Sequence, residues 1–274
     1  MDTIRAMSRH LKIPSSVVVV LILSIVSILS LIPILVPTCQ ASESGLEGPS
    51  ARFEIQIRSL YGTIGLEKRG LDFAVFRYAL IGYYNLKRRD AIGKSGIISI
   101  IDYRKSCNEK RFYVIDLINK KVLYHTFVAH GRHSGVIYAR DFSNEPGSLK
   151  SSLGFFVTGD TYDGEHGYSL RLYGKEKGFN DKARARRIIV HGAYYVRRSF
   201  IKQNGRIGRS QGCPALPAGP HIDIIDTIVG GTCLFQFYDD KQYLEKSALL
   251  DVAEAAAQFE ADYSPFILIK VPDR

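Results

Sequence analysis

A histidine and a cysteine lie 22 positions apart in the second half of this chain of 274 residues, each beside glycine. The histidine, His191, belongs to the segment IIVHG (residues 188–192), and the cysteine, Cys213, belongs to RSQGCPALP (residues 209–217). A cysteine attacks as a thiolate, which is a minor species at neutral pH when the thiol has its ordinary pKa of ~8.5. Because a catalytic thiol needs a base or a cation beside it, and histidine is the usual one, the pattern favours a thiol and its base over two unrelated core residues.

The residues next to both side chains fit that chemistry. His191 follows the β-type run RIIV, so its ring can face a cleft where the strand ends, and the Gly192 carbonyl can hold the ring through Nδ1–H. Gly212 allows successive backbone N–H groups to converge on one point, which suits an oxyanion hole in which each donor contributes ~3–4 kcal/mol. Ser210 is a candidate for ordering this loop or for steering the incoming nucleophile.

Two kinds of local pattern predict the elements that position these residues. After Asp72, a candidate N-cap, apolar side chains recur at the three- and four-residue spacing of a helix. From Gly96 onward the chain contains short runs rich in β-branched and aromatic residues: IISIID, RFYVIDL, KVLYHTFVA, LGFFVTG, YSLRL, RIIVH and TCLFQFY. Polar turns separate these runs, including a hairpin connection at residues 119–120, so we predict a mainly β protein of the α+β class.

Helices are also predicted near the end of the chain and at its start. HIDIIDTI before Gly230-Gly231 has the pattern of a helix with a glycine stop, and residues 241–259 have a helical, alanine-rich pattern. We therefore divide the chain into residues 42–95, a linker (42–52) and helical cap, residues 96–239, a β-rich domain, and residues 240–274, a C-terminal helical tail.

The first 41 residues have the pattern of an export signal. Three cations (Arg5, Arg9 and Lys12) precede residues 17–36, which carry no charge and are rich in apolar side chains. This run is long enough to span a bilayer, so both a cleaved signal peptide and an uncleaved membrane anchor are open interpretations. Either one predicts a protein of the periplasm or cell envelope, with membrane contact only through this segment if it is uncleaved.

Charge and cysteine content narrow the classes of partner. The formal net charge is +10, and residues 171–209 alone contain twelve Lys or Arg against two acidic residues. Such a concentration gathers anions, and for an exported protein an acidic wall polymer or an anionic surface is expected rather than nucleic acid. Beyond residue 41 the cysteines are Cys107, Cys213 and Cys233; an odd number predicts at least one free thiol.

The segments around His191 and Cys213 resemble the catalytic domain of the L,D-transpeptidase family, which carries His-Gly followed by Ser-His-Gly-Cys near the end of a β-rich domain. The resemblance covers roughly residues 110 to 239 and includes KVLYHTFVAHG, SSLGFFVTG, IIVHG, RSQGCPAL and GTCLFQFY. It implies an L,D-transpeptidase-like β-sandwich, the YkuD-like fold, in residues 96–239, with an N-terminal helical cap and a C-terminal helix. It implies neither a cofactor nor a metal.

The same resemblance implies roles for the residues. Cys213 is the nucleophile, His191 is the general base, and the Gly192 carbonyl orients the imidazole. The N–H groups of Gln211, Gly212 and Cys213 form the oxyanion hole. Enzymes of the family form a thioester with a peptidoglycan stem tetrapeptide, release D-Ala, pass the acyl group to an amine, and form thioester adducts with carbapenems.

The acyl acceptor stays open at this stage. Another stem peptide gives a 3-3 cross-link, an envelope lipoprotein gives protein attachment, a free amino acid is a third amine acceptor, and water makes the protein an L,D-carboxypeptidase.

Two departures from the family pattern concern the substrate pocket. Gln211 stands where the family usually has histidine, and Ala215 stands where many members have arginine or asparagine. Since Ala215 cannot bind a substrate carboxylate, we predict that Arg209 or Arg206 supplies the cation. His166 is a further candidate for lining the substrate groove.

Two other hypotheses compete with a cysteine enzyme. A zinc peptidase can draw ligands from His130, His133, Glu165, His166 and His191, but His-x-x-His lacks a recognisable glutamate partner on a helix. A non-enzymatic module that binds the cell wall predicts instead that Cys213 is buried and dispensable. Alkylation at pH 6 separates the two hypotheses if the catalytic thiol has a lowered pKa.

Overall fold

The computed structural model describes residues 48–267, with side chains described up to residue 263. The predicted signal peptide or anchor at residues 1–41 lies outside the described residues, as does the first part of the predicted linker. Among residues 48–267, no helix combines the length and the apolar character needed to cross a bilayer.

Six α-helices and eight β-strands occur within the described residues. The helices are α1 Pro49–Ile64, α2 Phe73–Arg88, α3 Arg198–Asn204, α4 His221–Ile228, α5 Lys241–Lys246 and α6 Val252–Ile267. The strands are β1 Ile97–Asp102, β2 Phe112–Asp116, β3 Lys121–Thr126, β4 Gly154–Gly164, β5 Gly167–Gly174, β6 Ile189–Ala193, β7 Ala215–Pro217 and β8 Cys233–Phe237.

The helix ends follow local capping chemistry. Asp72 caps α2 as predicted, because its side chain accepts a hydrogen bond of 2.8 Å from the Ala74 N–H. Helix α1 begins at Pro49, inside the segment predicted as linker up to residue 52; proline is favoured in the first turn because its missing N–H has no partner there.

The predicted helix over residues 241–259 was wrong in one respect, since the structure contains two helices there. The chain breaks after α5, where the Ser247 side chain turns to the buried carboxylate of Glu176. Helix α6 then begins anew, with the Asp251 carboxylate accepting the Glu254 N–H at 3.0 Å. The side-chain contacts of Ser247 and Asp251 therefore decide a boundary that the helical pattern does not mark.

All eight strands are hydrogen-bonded in one sheet with the order β3-β2-β1-β8-β4-β5-β6-β7. The β1–β8 and β6–β7 pairs are parallel, and the other neighbouring pairs are antiparallel. The predicted hairpin joins β2 to β3, with Lys120 at φ 51° in the turn. The mixed α+β fold predicted from the sequence is confirmed.

Helix α2 packs directly on the sheet and shares its hydrophobic core. Gly82 makes this close approach possible, because a Cβ atom there would lie 1.9 Å from the Phe155 ring. The Phe155 ring is stacked on Phe235 with centroids 4.1 Å apart. The Tyr83 hydroxyl, at the same interface, accepts the Gly96 N–H at 2.9 Å just before β1 begins.

The end of the sheet formed by β5, β6 and β7 positions the predicted residues. Pairing in the sheet places His191 of β6 opposite Ser169 of β5 on one side and opposite Ala215 of β7 on the other. Because Cys213 precedes Ala215 by two residues, the parallel β6–β7 pair carries the histidine and the cysteine to the same end of the sheet.

Candidate active site

Cys213 and His191 line one cavity of about 440 Å³, together with Ser210 and Gln211. We refer to it as the first cavity. A second cavity of about 360 Å³ also has Cys213 in its wall, and both cavities share His166. The structure therefore brings together the thiol and the imidazole that the sequence pattern indicated, although strands and loops separate them along the chain.

The Cys213 thiol is nearly buried, with 9% of the residue exposed. Burial raises its pKa to about 11, although the Ile189 N–H and the nearby Arg186 cation both act to lower it. The Sγ–H group faces the Arg187 carbonyl at 3.7 Å. Cys213 is thus a neutral thiol at neutral pH. The alkylation test at pH 6 assumes a lowered pKa, whereas the pKa of this thiol is raised.

The His191 imidazole is held in the orientation that the sequence predicted. Its Nδ1 lies 3.0 Å from the Gly192 carbonyl oxygen, so Nδ1–H donates and Nε2 is left as an acceptor. Burial lowers the pKa of His191 to about 4, opposed by the Gly192 hydrogen bond and assisted by the nearby His166 and His221. The ring is therefore neutral at pH 7 and able to receive a proton from the thiol.

Gly192 has a second role in the packing of the site. A Cβ atom at this position would lie 2.5 Å from Nδ1 of His221, the first residue of α4. The glycine therefore lets α4 pack against β6, and its carbonyl is fixed where it meets the His191 ring.

The loop before Cys213 is ordered by the Ser210 hydroxyl, which is one of the two roles predicted for it. Ser210 Oγ donates to the Cys213 carbonyl at 2.6 Å and accepts the Gly212 N–H at 3.1 Å. Gly212 has φ 125°, a conformation that side chains rarely adopt. Because the Gly212 N–H already donates to Ser210 Oγ, it is not free to bind an oxyanion. Of the three predicted oxyanion donors, the N–H groups of Gln211 and Cys213 therefore stay as candidates.

The segment next to this loop was not assigned a role from the sequence. The Ser210 N–H donates to the His130 carbonyl at 2.9 Å, and the Arg132 N–H donates to the Ser210 carbonyl at 2.8 Å. The Ser151 hydroxyl donates to the Gly212 carbonyl at 3.2 Å. These contacts hold the cysteine loop from both sides, and they join residues more than 50 positions apart in the chain, so the sequence carried no local signal for them.

His130 serves this packing through both of its ring nitrogens. Its Nδ1 accepts from Arg111 Nη2 at 2.7 Å, and its Nε2 donates to the Gly135 carbonyl at 3.2 Å, so both ring nitrogens are occupied. Burial and the Arg111 cation lower the pKa of His130 to about 3. The described residues contain no cluster of three or more His, Cys, Asp or Glu that could hold a metal ion.

The two predicted substrate cations differ in position. Arg209 lines the first cavity, and its Nη1 donates to the carbonyls of Arg132 at 2.9 Å and Gly135 at 3.0 Å. Arg206 is not among the described residues that line the first or second cavity; its Nη1 donates to the Ile207 carbonyl at 2.8 Å. Arg209 is therefore the better placed of the two, and His166 lines both cavities as expected.

The structure shows which further cations lie at the site. Further arginines line the two cavities, namely Arg132, Arg171, Arg184, Arg186 and Arg187. All except Arg132 fall within the basic stretch 171–209 that the sequence marked. The Arg186 guanidinium donates to the carbonyls of Ser143 and Lys150 at 2.6 Å each, so it fastens the loop around residues 143–152 to the cavity wall.

Comparison with known proteins agrees with the resemblance seen in the sequence. Residues 67–237 match the family model YkuD_2, described as L,D-transpeptidase catalytic domain. A comparison with curated protein sequences finds no match.

Similar solved structures are an L,D-transpeptidase from Mycobacterium smegmatis (13% identity, TM-score 0.32) and L,D-transpeptidase 1 from Mycobacterium tuberculosis (14% identity, TM-score 0.30). The match covers 52% of this chain in both cases, 59% of the first of those chains and 62% of the second. A third, an L,D-transpeptidase in complex with imipenem, has 14% identity and a TM-score of 0.32, with 52% of this chain and 59% of that chain covered. This chain thus spans less than two thirds of the length of each.

Proposed function

The chain belongs to the L,D-transpeptidase catalytic domain family, and from that premise we propose that it is an exported cysteine L,D-transpeptidase acting on peptidoglycan stem peptides. In this proposal Cys213 forms a thioester with a stem tetrapeptide and releases the terminal D-Ala. The acyl group then passes to an amine of a second stem peptide or of an envelope lipoprotein.

The observation that carries the proposal is that Cys213 and His191 both line the first cavity, with the His191 ring fixed by Gly192. A purely structural cysteine would not need an oriented imidazole in the wall of the same cavity. Although Cys213 is only 9% exposed, as a non-enzymatic wall-binding module predicts, its position in the cavity wall favours the enzyme.

The protonation states support general-base activation of the thiol. At pH 7 the Cys213 thiol and the His191 imidazole are both neutral, since the thiol pKa is raised to about 11 and the imidazole pKa is lowered to about 4. Proton transfer from Sγ to Nε2 therefore accompanies attack on the substrate carbonyl, instead of preceding it as a stable ion pair.

The remaining steps follow from the same geometry. Negative charge on the tetrahedral oxygen is stabilised by the N–H groups of Gln211 and Cys213. The imidazolium of His191 returns its proton to the departing amine of D-Ala as the C–N bond breaks, leaving a thioester on Cys213. Water as the second acceptor would give the L,D-carboxypeptidase reaction, which is the alternative within the same fold.

The place of action follows from the first 41 residues, which we take as the signal for export to the periplasm or cell envelope. Peptidoglycan is then the accessible polymer, and its acidic stem peptides match the basic stretch 171–209.

Intact-mass measurement of the protein incubated with a carbapenem, and separately with a disaccharide tetrapeptide, tests this function. We expect one covalent adduct with the carbapenem and one acyl-enzyme with the tetrapeptide, both mapped to Cys213 by peptide mass analysis. Cys107→Ala is the matched control, because this buried cysteine is not among the described residues lining either cavity and should leave adduct formation intact. A folded protein that forms neither adduct is not a cysteine transpeptidase.

A further inference from the structure

The Arg111 side chain is a fully buried cation that is not among the described residues lining the first or second cavity. Within the described part of the chain, no carboxylate lies within 4.0 Å of its guanidinium group. Burial lowers its pKa, yet a guanidinium keeps its charge in proteins. A buried charge without a counter-ion is costly unless neutral acceptors compensate it, so the acceptors of Arg111 show what this cation holds in place.

The hydrogen bonds of Arg111 converge on one short segment, residues 128–130. Nε and Nη2 donate to the Val128 carbonyl at 3.2 and 3.0 Å, and Nη2 also donates to His130 Nδ1 at 2.7 Å. Nη1 donates to the Lys105 carbonyl at 2.9 Å. The guanidinium also lies over the Tyr103 ring, with its carbon 5.2 Å from the ring centroid. Arg111 therefore braces the segment 128–130 against the sheet.

The contact with Arg111 fixes the tautomer of His130. A guanidinium has donors only, so Nδ1 must accept and the ring proton is left on Nε2, which donates to the Gly135 carbonyl at 3.2 Å. Because burial lowers the pKa of His130 to about 3, the ring carries a single proton at neutral pH. The same Gly135 carbonyl accepts from Arg209 Nη1 at 3.0 Å. The His130 side chain and the candidate substrate cation thus share one acceptor.

The backbone of the same segment holds both ends of the cysteine loop. The Ser210 N–H donates to the His130 carbonyl at 2.9 Å, and the Ala129 N–H donates to the Ala215 carbonyl at 2.9 Å. Cys213 lies between these two points of attachment. A shift of the segment 128–130 therefore moves the thiol relative to its base.

We propose that Arg111 is a positioning residue for thioester formation: its donors fix the tautomer of His130 and the path of residues 128–130, and this segment sets the position of Cys213. The inference rests on the proposed function, because it concerns the geometry in which Sγ meets the substrate carbonyl. Small displacements at a reacting atom are costly, since a misplacement of about 1 Å can slow a reaction by about a hundredfold.

Replacement by glutamine tests the inference, because an amide both donates and accepts. Arg111→Gln can pair with either tautomer of His130, so the tautomer is no longer imposed. Arg111→Lys keeps a cation that only donates and is the conservative variant. Arg77→Gln is the matched control, since this half-buried arginine of α2 donates to the Glu54 carboxylate at 2.7 and 2.9 Å, in the helical cap.

Three measurements follow the link from the cation to the chemistry. NMR of the ring nitrogens reports the tautomer of His130, amide hydrogen exchange at Ser210 reports the cysteine loop, and single-turnover acylation by a stem tetrapeptide reports the reaction. We expect the Nε2–H tautomer in the wild-type protein, in Arg77→Gln and in Arg111→Lys. In Arg111→Gln the Nδ1–H tautomer should appear.

The rates should follow the tautomer. In Arg111→Gln we expect exchange at the Ser210 N–H to rise by about tenfold, because local opening becomes easier. The limiting acylation rate at saturating substrate should fall by about tenfold, with little change in the substrate concentration that gives half of that rate. Arg111→Lys should recover most of the limiting rate, and Arg77→Gln should leave it unchanged.

The Nδ1–H tautomer in the wild-type protein would overturn the inference, as would a wild-type limiting rate in Arg111→Gln. If Arg111→Gln does not fold, His130→Leu replaces it. This variant keeps the cation and removes only its acceptor on the imidazole, so a wild-type limiting rate there would also overturn the inference. If the wild-type protein forms no thioester, the proposed function fails, whereas an unchanged exchange rate at Ser210 in Arg111→Gln would refute the role of Arg111 independently of catalysis.

Discussion

The imidazole of His166 is stacked on the imidazole of His191, with ring centroids 4.3 Å apart and an angle of 19° between the planes. His166 is exposed, whereas His191 is 3% exposed and holds its Nδ1–H on the Gly192 carbonyl. Two protonated imidazoles at this distance would repel each other, so the stack contributes to the lowered pKa of His191. Burial is the main cause of the lowered pKa of His191, and the contact with His166 adds to it.

The pH dependence of thioester formation follows from the two shifted pKa values. Since the pKa of His191 is lowered to about 4, the base is lost only as the pH falls through that value. The rate should therefore rise with pH through about 4 and stay level through neutrality. A second rise is expected near the Cys213 pKa of about 11, where the thiolate forms without help from the base. A single inflection near pH 6.5 in the acylation rate would contradict this assignment.

Replacement of the nucleophile should separate activity from folding. We expect Cys213→Ala to abolish acyl-enzyme formation, because the nucleophile is removed, while the cooperative thermal transition persists, because little volume is lost. Stopped-flow acylation and calorimetry measure the two effects. Turnover of a tetrapeptide substrate at the normal rate by this variant would exclude Cys213 as the nucleophile.

Removal of the base should slow the chemistry more than any other histidine substitution. His191→Ala is expected to lower the acylation rate by about 10²–10⁴-fold, the usual contribution of a positioned general base. His133→Ala is the matched control, since the Nδ1–H of this exposed residue donates to the Ser148 carbonyl at 3.1 Å and the residue is not among the described lining residues. A chelator should alter neither protein; loss of activity that zinc restores would favour a metallopeptidase.

The Ser210 hydroxyl should matter for both stability and rate. Ser210→Ala removes a donor to the Cys213 carbonyl and leaves the buried Gly212 N–H without its acceptor. We expect the free energy of unfolding to fall by about 1–3 kcal/mol, with a slower acylation step because the oxyanion donors lose their fixed geometry. Denaturant titration and single-turnover kinetics measure these effects. A normal unfolding midpoint would show that the loop does not depend on this hydroxyl.

The role of Arg209 is testable through the terminal carboxylate of the donor peptide. Arg209→Ala should cost about 1.5–3 kcal/mol in transition-state binding, which corresponds to roughly ten- to two-hundredfold in kcat/KM. The loss should be much smaller for a tetrapeptide whose terminal carboxylate is amidated, because the interaction is then already absent. The four combinations of protein and substrate form a double-mutant cycle.

Equal losses on the two donor peptides would assign Arg209 a structural role only. That role has a visible basis, since Arg209 Nη1 donates to the carbonyls of Arg132 and Gly135. The carboxylate would then be bound by another cation of the first cavity, and Arg132 and Arg187 are the exposed candidates.

The elements of the fold were largely determined by local sequence patterns. Short runs rich in β-branched and aromatic residues predicted the strands that contain His191 and Cys233, and the capping side chain of Asp72 predicted the start of α2. The boundary near Ser247 was not predictable, because a hydrogen bond to Glu176, 71 residues earlier in the chain, competes there with the helical pattern.

The properties of the candidate site also fall into those that the sequence indicated and those that only the tertiary structure decided. The sequence by itself indicated the candidate pair, Cys213 and His191. It also indicated the contact of the imidazole with Gly192, because adjacent residues make that contact. Only the tertiary structure decided that Gly212 N–H is turned to Ser210 and that both pKa values shift so as to leave a neutral pair. It also decided which arginines of the 171–209 stretch face Cys213. Burial and long-range packing fix these properties, and neither depends on the identity of neighbouring residues in the chain.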